Sequence, residues 1–331
     1  MNTQILSGSD ESHLNLFVCT LQAGQPIAVP SETVYGLAAP VNDATALEAI
    51  FDIKQRPFND PLILHIGDSS WLQGWAQDFN TESVARLVKA FWPGPLTLIL
   101  RKKPEVPDLA TAGLPTAGFR MPKHPVFLEI IKRVGVPLAA PSANPFTYIS
   151  PTRPEHVLRT LGGKIPYIAD GGQCEEGVES TILDLSDPEI PRILRPGPIA
   201  PDAISAVLGR SVAVAEKKAE ATDVHLAPGN FEKHYAPKKP IEHISENAVS
   251  SLSEEAAFIF CRGELFNLPK GIRAKALGDL SDPAMIRSRL YATLNELDAD
   301  EAISKIYLVD WPRTFNDLAL DDRIRRALSK R

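Results

Sequence analysis

The stretch KQRPFNDPLILHI (residues 54–66) joins the end of a predicted helix to a predicted strand. In the segment 43–54, Asp43 suits the N-cap position and apolar residues recur at helical spacing on one face. That face is formed by Ala46, Leu47, Ile50 and Ile53. Pro57 ends the helix because proline cannot continue it. The apolar run at 62–66 then predicts a strand, and this alternation indicates an α/β or α+β domain.

The same alternation extends through the first two-thirds of the chain. Further strands are predicted at 26–30, 96–100, 117–121, 136–141, 180–185 and 192–196, and helices at 80–91 and 124–133. Weak periodicity and several prolines then indicate a linker, after which strands at 256–261 and 305–311 and helices at 283–297 and 317–329 form a second α/β unit. The predicted domains are residues 1–210 and 241–331, with 211–240 as the linker.

Composition limits the classes of protein that fit. The chain has 331 residues, 44% of them hydrophobic, and a net charge of −6. That charge argues against broad attraction to nucleic acid or to an anionic membrane, so an anion site has to be a local pocket. Cys19, Cys174 and Cys261 show neither metal-ligand spacing nor a disulfide framework. The N-terminal segment resembles no signal peptide, and no apolar run is long enough to span a bilayer, which favours a cytoplasmic protein.

Lys54 and Arg56 allow two interpretations. Cations at the C-terminus of a helix complement its dipole and often point into solvent. Alternatively, Pro57 and Pro61 stiffen the loop and hold both cations in place for a triphosphate. No P-loop and no G-x-G-x-x-G sequence occurs, so a nucleotide would have to be bound by side chains.

Two polar loops are further candidates. PSETVYGLA (30–38) contains Ser31, Thr33 and Tyr35, and APSANPFTYISPT (140–152) follows a predicted strand. The second loop offers Ser142, Asn144, Ser150 and Thr152. Turn formation by hydroxyl side chains is the alternative for both loops.

Three residues with ionisable side chains lie in predicted strands. Arg120 and Arg195 indicate either buried anion partners or side chains that reach the sheet edge. His65 fits a core histidine equally well.

Together and in this order, these stretches resemble the threonylcarbamoyl-AMP synthase family. The matching pieces are PSETVYGLA, KQRPFNDPLILHI, TAGFRMP, APSAN with the later SPT, ESTILDL and ILRPGPI. HYAP (234–237) resembles the linker of the long, two-domain form. The resemblance implies an α/β fold with an open, twisted, mixed sheet (YrdC-like) and a basic concave cavity, followed by a smaller C-terminal α/β (Rossmann-like) domain.

The resemblance also implies an activity. Members condense L-threonine, bicarbonate or CO2, and ATP to threonylcarbamoyl-AMP and pyrophosphate, with Mg2+ bound mainly through the ATP phosphates. Downstream proteins transfer the threonylcarbamoyl group to tRNA, so tRNA is only an indirect partner. The linker is expected to act as a lid that excludes water from the mixed anhydride.

Site residues follow from the resemblance by matching position. Lys54 and Arg56 are expected to bind the ATP phosphates and to stabilise adenylyl transfer. The predicted threonine site consists of Thr33, His65, Arg120, Ser142 and Ser180. Further predicted contacts to ATP are Thr116, Asn144, Thr152, Arg195, His234 and Tyr235. No protein ligand for a metal is predicted, and His65 is the only candidate proton acceptor.

One departure and three alternatives remain open. Phe146 and Thr147 stand where the family usually has serine and glycine, which leaves the local turn geometry in question. The chain could instead form carbamoyl-adenylate, or it could be a non-catalytic module that binds RNA or the ribosome. The C-terminal unit could also be purely regulatory or oligomerising.

Overall fold

The computed structural model describes residues 1–215, 228, 235–245, 248–249, 256–260, 273–309 and 316–328. Within these residues the chain forms one large and one small β-sheet, each accompanied by helices. In the described parts, none of the helices has the length and apolar character needed to cross a bilayer.

The large sheet has eleven strands among the described residues. In chain order they are β1 (Gln4–Ser7), β2 (Ile27–Val29), β3 (Gly36–Pro40), β4 (Ile63–His65), β5 (Leu96–Arg101), β6 (Thr116–Arg120), β7 (Leu138–Ala139), β8 (Tyr167–Asp170), β9 (Thr181–Asp184), β10 (Arg192–Arg195) and β11 (Ala213–Val214). Their spatial order is β1-β8-β2-β3-β7-β4-β6-β5-β9-β10-β11. The sheet is mixed, since β4 pairs in parallel with β6 while β5 pairs with β6 in the antiparallel sense.

Helices cover this sheet. They are α1 (Glu11–Gln22), α2 (Ala44–Lys54), α3 (Leu72–Trp75), α4 (Glu82–Phe91), α5 (Asp108–Thr111), α6 (Pro125–Val134), α7 (Pro154–Leu161) and α8 (Pro201–Leu208). In α2, the carboxylate of Asp43 accepts a hydrogen bond from the amide of Ala46 at 3.0 Å, as the predicted N-cap. The helix ends at Lys54 because Gln55 is left-handed, with φ of 53°.

The buried face of α2 differs by one position from the prediction. Phe51 is buried in the core, whereas Ile53 is only partly buried. Burying a side chain of this size contributes roughly 1.5–3 kcal/mol relative to leaving it exposed. The face that stabilises the helix is therefore rotated slightly towards Phe51.

The small sheet is wholly parallel. It consists of β12 (Ile241–Ile244), β13 (Ala256–Phe260), β14 (Arg273–Ala276) and β15 (Lys305–Val309), in the order β12-β15-β13-β14. Two helices accompany it, α9 (Pro283–Ala299) and α10 (Leu318–Leu328). The apolar side of α9 shares one core with Tyr148 and Ile149 of the first unit, so the two units are packed against each other.

The predicted domain limits remain a prediction. Most of the predicted linker, 211–240, lies outside the described residues, and β11 occupies residues 213–214 within it. The large sheet thus extends a few residues beyond 210, and the small sheet begins at Ile241.

Candidate active site

Strand direction explains why distant residues meet at one place. His65 and Arg120 are the last residues of the parallel strands β4 and β6, and they are paired in register. Ser180 immediately precedes β9, and Arg195 ends β10, which runs antiparallel to β9. The ends of β4, β6 and β10 and the start of β9 therefore lie together.

A cavity opens at this point of the sheet. Its wall contains eight of the thirteen predicted site residues, which are Thr33, Arg56, His65, Arg120, Ser142, Ser180, Arg195 and Tyr235. The cavity volume is about 50 Å³. Ligand pockets usually measure about 300–1,000 Å³, so the cavity as it stands is too small for a nucleotide.

Arg120 is fixed from three sides. Its guanidinium donates to the carbonyl of Gly94 at 3.2 Å and to the hydroxyl of Thr33 at 3.0 Å. It also pairs with the carboxylate of Glu32 at 2.8 Å, and both side chains are almost completely buried. A buried guanidinium held in this way is preorganised for a carboxylate.

The loop that contains Thr33 divides its hydroxyls between two roles. The hydroxyl of Ser31 donates to the carbonyl of Val34 at 2.6 Å, which is a local turn contact. Thr33 instead lies in the cavity wall. Tyr35 points elsewhere, because its hydroxyl donates to the carbonyl of Gly172 at 2.8 Å. Of the three candidates in this loop, only Thr33 faces the cavity.

Lys54 and Arg56 are buried, so the interpretation in which they point into solvent is wrong. The ammonium of Lys54 donates to the carbonyl oxygens of Ser142 and Asn144, the latter at 2.6 Å. Burial and the charge of Arg56 lower the pKa of Lys54 well below its usual value. The structure thus places Lys54 beneath the loop at 142–144, outside the cavity wall.

Arg56 is the cation of this pair that reaches the cavity. Its guanidinium pairs with the carboxylate of Asp60 at 2.9 Å and donates to the carbonyl of Pro61 at 2.7 Å. The loop between Pro57 and Pro61 folds back on the arginine and fixes it. This arrangement agrees with the predicted role of the two prolines in holding a cation.

Arg195 and Ser180 form the other side of the cavity. The guanidinium of Arg195 donates to the carbonyl of Ser180 at 3.1 Å and to its hydroxyl at 3.0 Å. It also donates to the carbonyl of Pro228, a residue of the predicted linker, at 3.3 Å. Arg195 is therefore a buried cation that donates hydrogen bonds to neutral oxygens.

His65 is a poor proton acceptor. Burial, with a contribution from the charge of Arg120, lowers the pKa of His65 to about 3. An effective general base has a pKa close to the operating pH. The imidazole is therefore neutral at pH 7, but it is too weak a base to be an effective proton acceptor.

Three further predicted ATP contacts do not line the cavity. Asn144 is buried and donates to the carbonyl of Tyr148 at 3.0 Å, and Thr152 is buried at the start of the segment leading to α7. Thr116 begins β6 and pairs with Arg101 at the far end of the strand from Arg120. His234 lies outside the described residues.

Sequence reasoning missed the carboxylates of this region. Glu32 and Glu179 are both buried, the first beside Arg120 and the second in the cavity wall. The hydroxyl of Ser150 donates to Glu179 at 2.6 Å, which explains the polar residue at that position. Both acids lie inside quoted motifs, PSETVYGLA and ESTILDL, so their position next to predicted site residues was the available signal.

Comparison with known families matches the whole architecture. Residues 19–197 match a family model described as "Telomere recombination" for the Sua5, YciO and YrdC proteins. Residues 199–329 match one described as "Threonylcarbamoyl-AMP synthase, C-terminal domain". The chain belongs to the threonylcarbamoyl-AMP synthase family.

Individual members of this family are similar over most of the chain. The threonylcarbamoyl-AMP synthase of Bacillus subtilis is 36% identical over 94% of this chain and 91% of its own length. That of Pyrococcus abyssi is 41% identical over 67% of this chain and 64% of its own length. The crystal structure of P. abyssi Sua5 complexed with L-threonine has a TM-score of 0.86 at 33% identity, covering 99% of this chain and 97% of the other. The predicted family and the predicted two-part α/β fold are confirmed.

Proposed function

We propose that this chain is an L-threonylcarbamoyladenylate synthase that condenses L-threonine, bicarbonate or CO2, and ATP. The observation that carries the proposal is the cavity, whose wall brings together Thr33, Arg120, Ser180, Arg56 and Arg195. A family member with the same overall fold has been crystallised with L-threonine. The two alternative functions, carbamoyl-adenylate formation and RNA binding without catalysis, are not favoured.

The residues of the cavity wall suit the two substrates differently. Arg120 is the partner for the carboxylate of threonine, because its guanidinium is already fixed by Glu32 and Thr33. Ser180 and Thr33 supply hydroxyls nearby. Arg56 and Arg195 supply positive charge for the ATP phosphates, and Lys54 acts through the loop at 142–144 that it holds.

The reaction assigned to the site is adenylyl transfer, which makes the enzyme a nucleotidyltransferase. An oxygen of the N-carboxylate group of N-carboxythreonine attacks the α-phosphorus of ATP. The new P–O bond forms as the bond between the α-phosphorus and the oxygen that bridges to the β-phosphorus breaks. Pyrophosphate leaves with the electron pair. Arg56 and Arg195 stabilise the charge that develops on the phosphates, which is how proteins accelerate such transfers.

Magnesium enters the proposal only through ATP. Among the residues that the structure describes, no group of three or more His, Cys, Asp or Glu side chains is placed to hold a metal ion. Glu32 and Asp60, the acids beside Arg120 and Arg56, are already paired with those arginines. Mg2+ often keeps several waters and binds through substrate phosphates, and there it would neutralise phosphate charge.

The predicted linker contributes two residues to the cavity wall. Pro228 and Tyr235 line the cavity and both belong to the predicted linker. Since the cavity volume is only about 50 Å³, ATP does not fit unless the wall opens. This supports the predicted lid, which would close over the mixed anhydride and protect it from water.

The cellular context of the activity stays a prediction. The expected partners are proteins that transfer the threonylcarbamoyl group to tRNA, with tRNA itself involved only indirectly. A cytoplasmic location is likewise expected.

Mass spectrometry of the reaction product tests the proposal. The full chain is incubated with Mg2+, ATP, bicarbonate and L-threonine, and we expect threonylcarbamoyl-AMP together with pyrophosphate, without added RNA. Omission of threonine, or its replacement by carbamoyl phosphate, serves as a control. Formation of carbamoyl-adenylate from carbamoyl phosphate and ATP in the absence of threonine would favour the carbamoyl-adenylate alternative. The absence of pyrophosphate release under all of these conditions would refute an enzymatic function.

A further inference from the structure

The wall of the cavity is tied to the C-terminal domain through one buried carboxylate. Glu179 lies in the wall, next to Ser180 in sequence. Its carboxylate accepts hydrogen bonds from Ser150 at 2.6 Å, from Tyr291 of α9 at 3.1 Å and from Arg323 of α10 at 2.7 Å. Two of these three donors belong to the C-terminal domain.

Arg323 is completely buried, which is unusual for an arginine. Its guanidinium also donates to the carbonyl of Pro196 at 3.0 Å and pairs with Asp322 at 2.7 Å. The guanidinium carbon lies 5.1 Å from the centre of the Tyr235 ring, within cation–π distance. Arg323 therefore contacts the cavity wall, the segment after β10 and the linker at once.

The carboxylate of Glu179 interacts differently with two buried arginines. Two buried arginines, Arg195 and Arg323, act electrostatically on the carboxylate of Glu179, and Arg323 is also paired with Asp322. Burial acts to raise the pKa of Glu179, but the charges of Arg323 and then Arg195 outweigh it and lower that pKa. The hydrogen bond of Glu179 goes to Arg323, whereas Arg195 contacts neutral oxygens of Ser180 and Pro228.

We propose that Arg323 is a positioning residue of the active site, which holds the Glu179 carboxylate away from Arg195 and so leaves the charge of Arg195 available for an ATP phosphate. Without Arg323, the other arginine whose charge acts on the ionised Glu179 is Arg195. A direct ion pair with Glu179 would then reduce the positive charge that Arg195 presents to the nucleotide, as Asp60 already does for Arg56. This inference rests on the proposed function, because it assigns a phosphate of ATP to Arg195.

The inference gives the C-terminal domain a defined role. Its helix α10 supplies a counter-charge to the catalytic domain, so a correctly docked C-terminal domain is a condition for tight ATP binding. A domain that served only for oligomerisation would not need a fully buried arginine at the cavity wall.

The test measures MgATP binding to the full chain by calorimetry, together with the KM values for ATP and threonine. Arg323→Met keeps the bulk of the side chain and removes its charge. We expect ATP affinity to fall about tenfold or more, the value of a lost charge-assisted contact, while the KM for threonine changes by less than about threefold. Arg325→Met is the matched control, since Arg325 lies on the same helix with a side chain that is 54% exposed.

The double variant Glu179→Gln with Arg323→Met decides between positioning and a merely structural role. If Arg323 acts through the charge of Glu179, removing both charges recovers most of the lost ATP affinity. If Arg323 only supports packing, the double variant binds ATP no better than Arg323→Met. Because it removes the buried Glu179–Arg323 pair as a unit, the double variant is expected to fold if the single one does not, and failure of the folded double variant to bind ATP would refute the inference.

Failure of the inference is distinguishable from failure of the proposed function. A wild-type chain that forms no threonylcarbamoyl-AMP refutes the function, whatever the variants do. A wild-type chain that forms the product, alongside an Arg323→Met variant with unchanged ATP affinity, refutes only the role of Arg323.

Discussion

Replacement of Thr147 by glycine is expected to stabilise the protein. Thr147 has a φ of +66°, in the left-handed region. That region costs an L-residue roughly 1–2 kcal/mol, whereas glycine adopts it freely. Glycine in turn loses about 0.5–1 kcal/mol through the greater freedom of the unfolded chain. The net expectation is a gain of about 0.5–1 kcal/mol in the free energy of unfolding.

The surroundings of Thr147 allow glycine to replace it without loss of its backbone hydrogen bond. The residue is only partly buried, and its carbonyl accepts the amide of Ala236 at 3.1 Å, a bond that glycine retains. Urea denaturation followed by circular dichroism measures the change. Thr147→Ala is the control, because alanine keeps the Cβ atom and most of the strain.

The test is which of the two variants, Thr147→Gly or Thr147→Ala, has the larger free energy of unfolding. At an ordinary position alanine is more stable than glycine by about 0.5–1 kcal/mol, but at Thr147 we expect the order to be reversed. A Thr147→Gly variant less stable than Thr147→Ala would refute the reasoning. The family's usual glycine at this position would then need another explanation.

Three further predictions concern the site and the domain contact. Arg120→Lys should raise the KM for threonine about tenfold, since a lysine cannot bind a carboxylate in bidentate fashion, and an equal rise in the KM for ATP would contradict the assigned role. His156 is buried, its pKa is lowered to about 4 chiefly by burial, and its Nδ1 accepts the amide of Thr152. The unfolded chain binds a proton on this imidazole more readily than the folded chain, so the free energy of unfolding falls as the pH drops from about 6.5 towards 4. In urea titrations, His156→Gln should therefore lose about 2 kcal/mol less of that free energy than the wild type between pH 7 and pH 5. An equal loss in the two proteins would contradict this reasoning. Tyr148→Phe removes the hydrogen bond to Asp298 between the two domains, and we expect about 1 kcal/mol of lost docking energy, seen as faster hydrogen exchange at 236–239, with unchanged exchange as the contrary result.

The sequence predicted the strands with long apolar runs and missed those without them. Each of the seven predicted strands of the first domain overlaps an observed strand. In contrast, β3 has the sequence GLAAP, whose small residues show no strand signal, and it lies in a stretch interpreted as a polar loop. Short strands such as β8, between a lysine-containing turn and two glycines, offer too few residues for a periodic pattern.

The candidate site was predictable only in part, because its electrostatics depend on contacts between distant residues. The positions of Arg56, Arg120 and Arg195 followed from motifs. Their partners did not, since Arg120 pairs with Glu32 from 88 positions earlier and Glu179 pairs with Arg323 from 144 positions later. The orientation of Lys54 away from the cavity also depends on carbonyl groups that only the fold brings near it.

The rate at which the buried ammonium of Lys54 reacts with a labelling reagent can report on the motion of the loop at 142–144. Amine-directed reagents acylate exposed lysines at once, but Lys54 is 1% exposed and hydrogen-bonded to two carbonyls. Its labelling therefore requires the loop to detach from the end of α2, and peptide mapping of the acylation rate would report how often that opening occurs. A single residue in the natural sequence can thus follow the motion of this loop without an added probe.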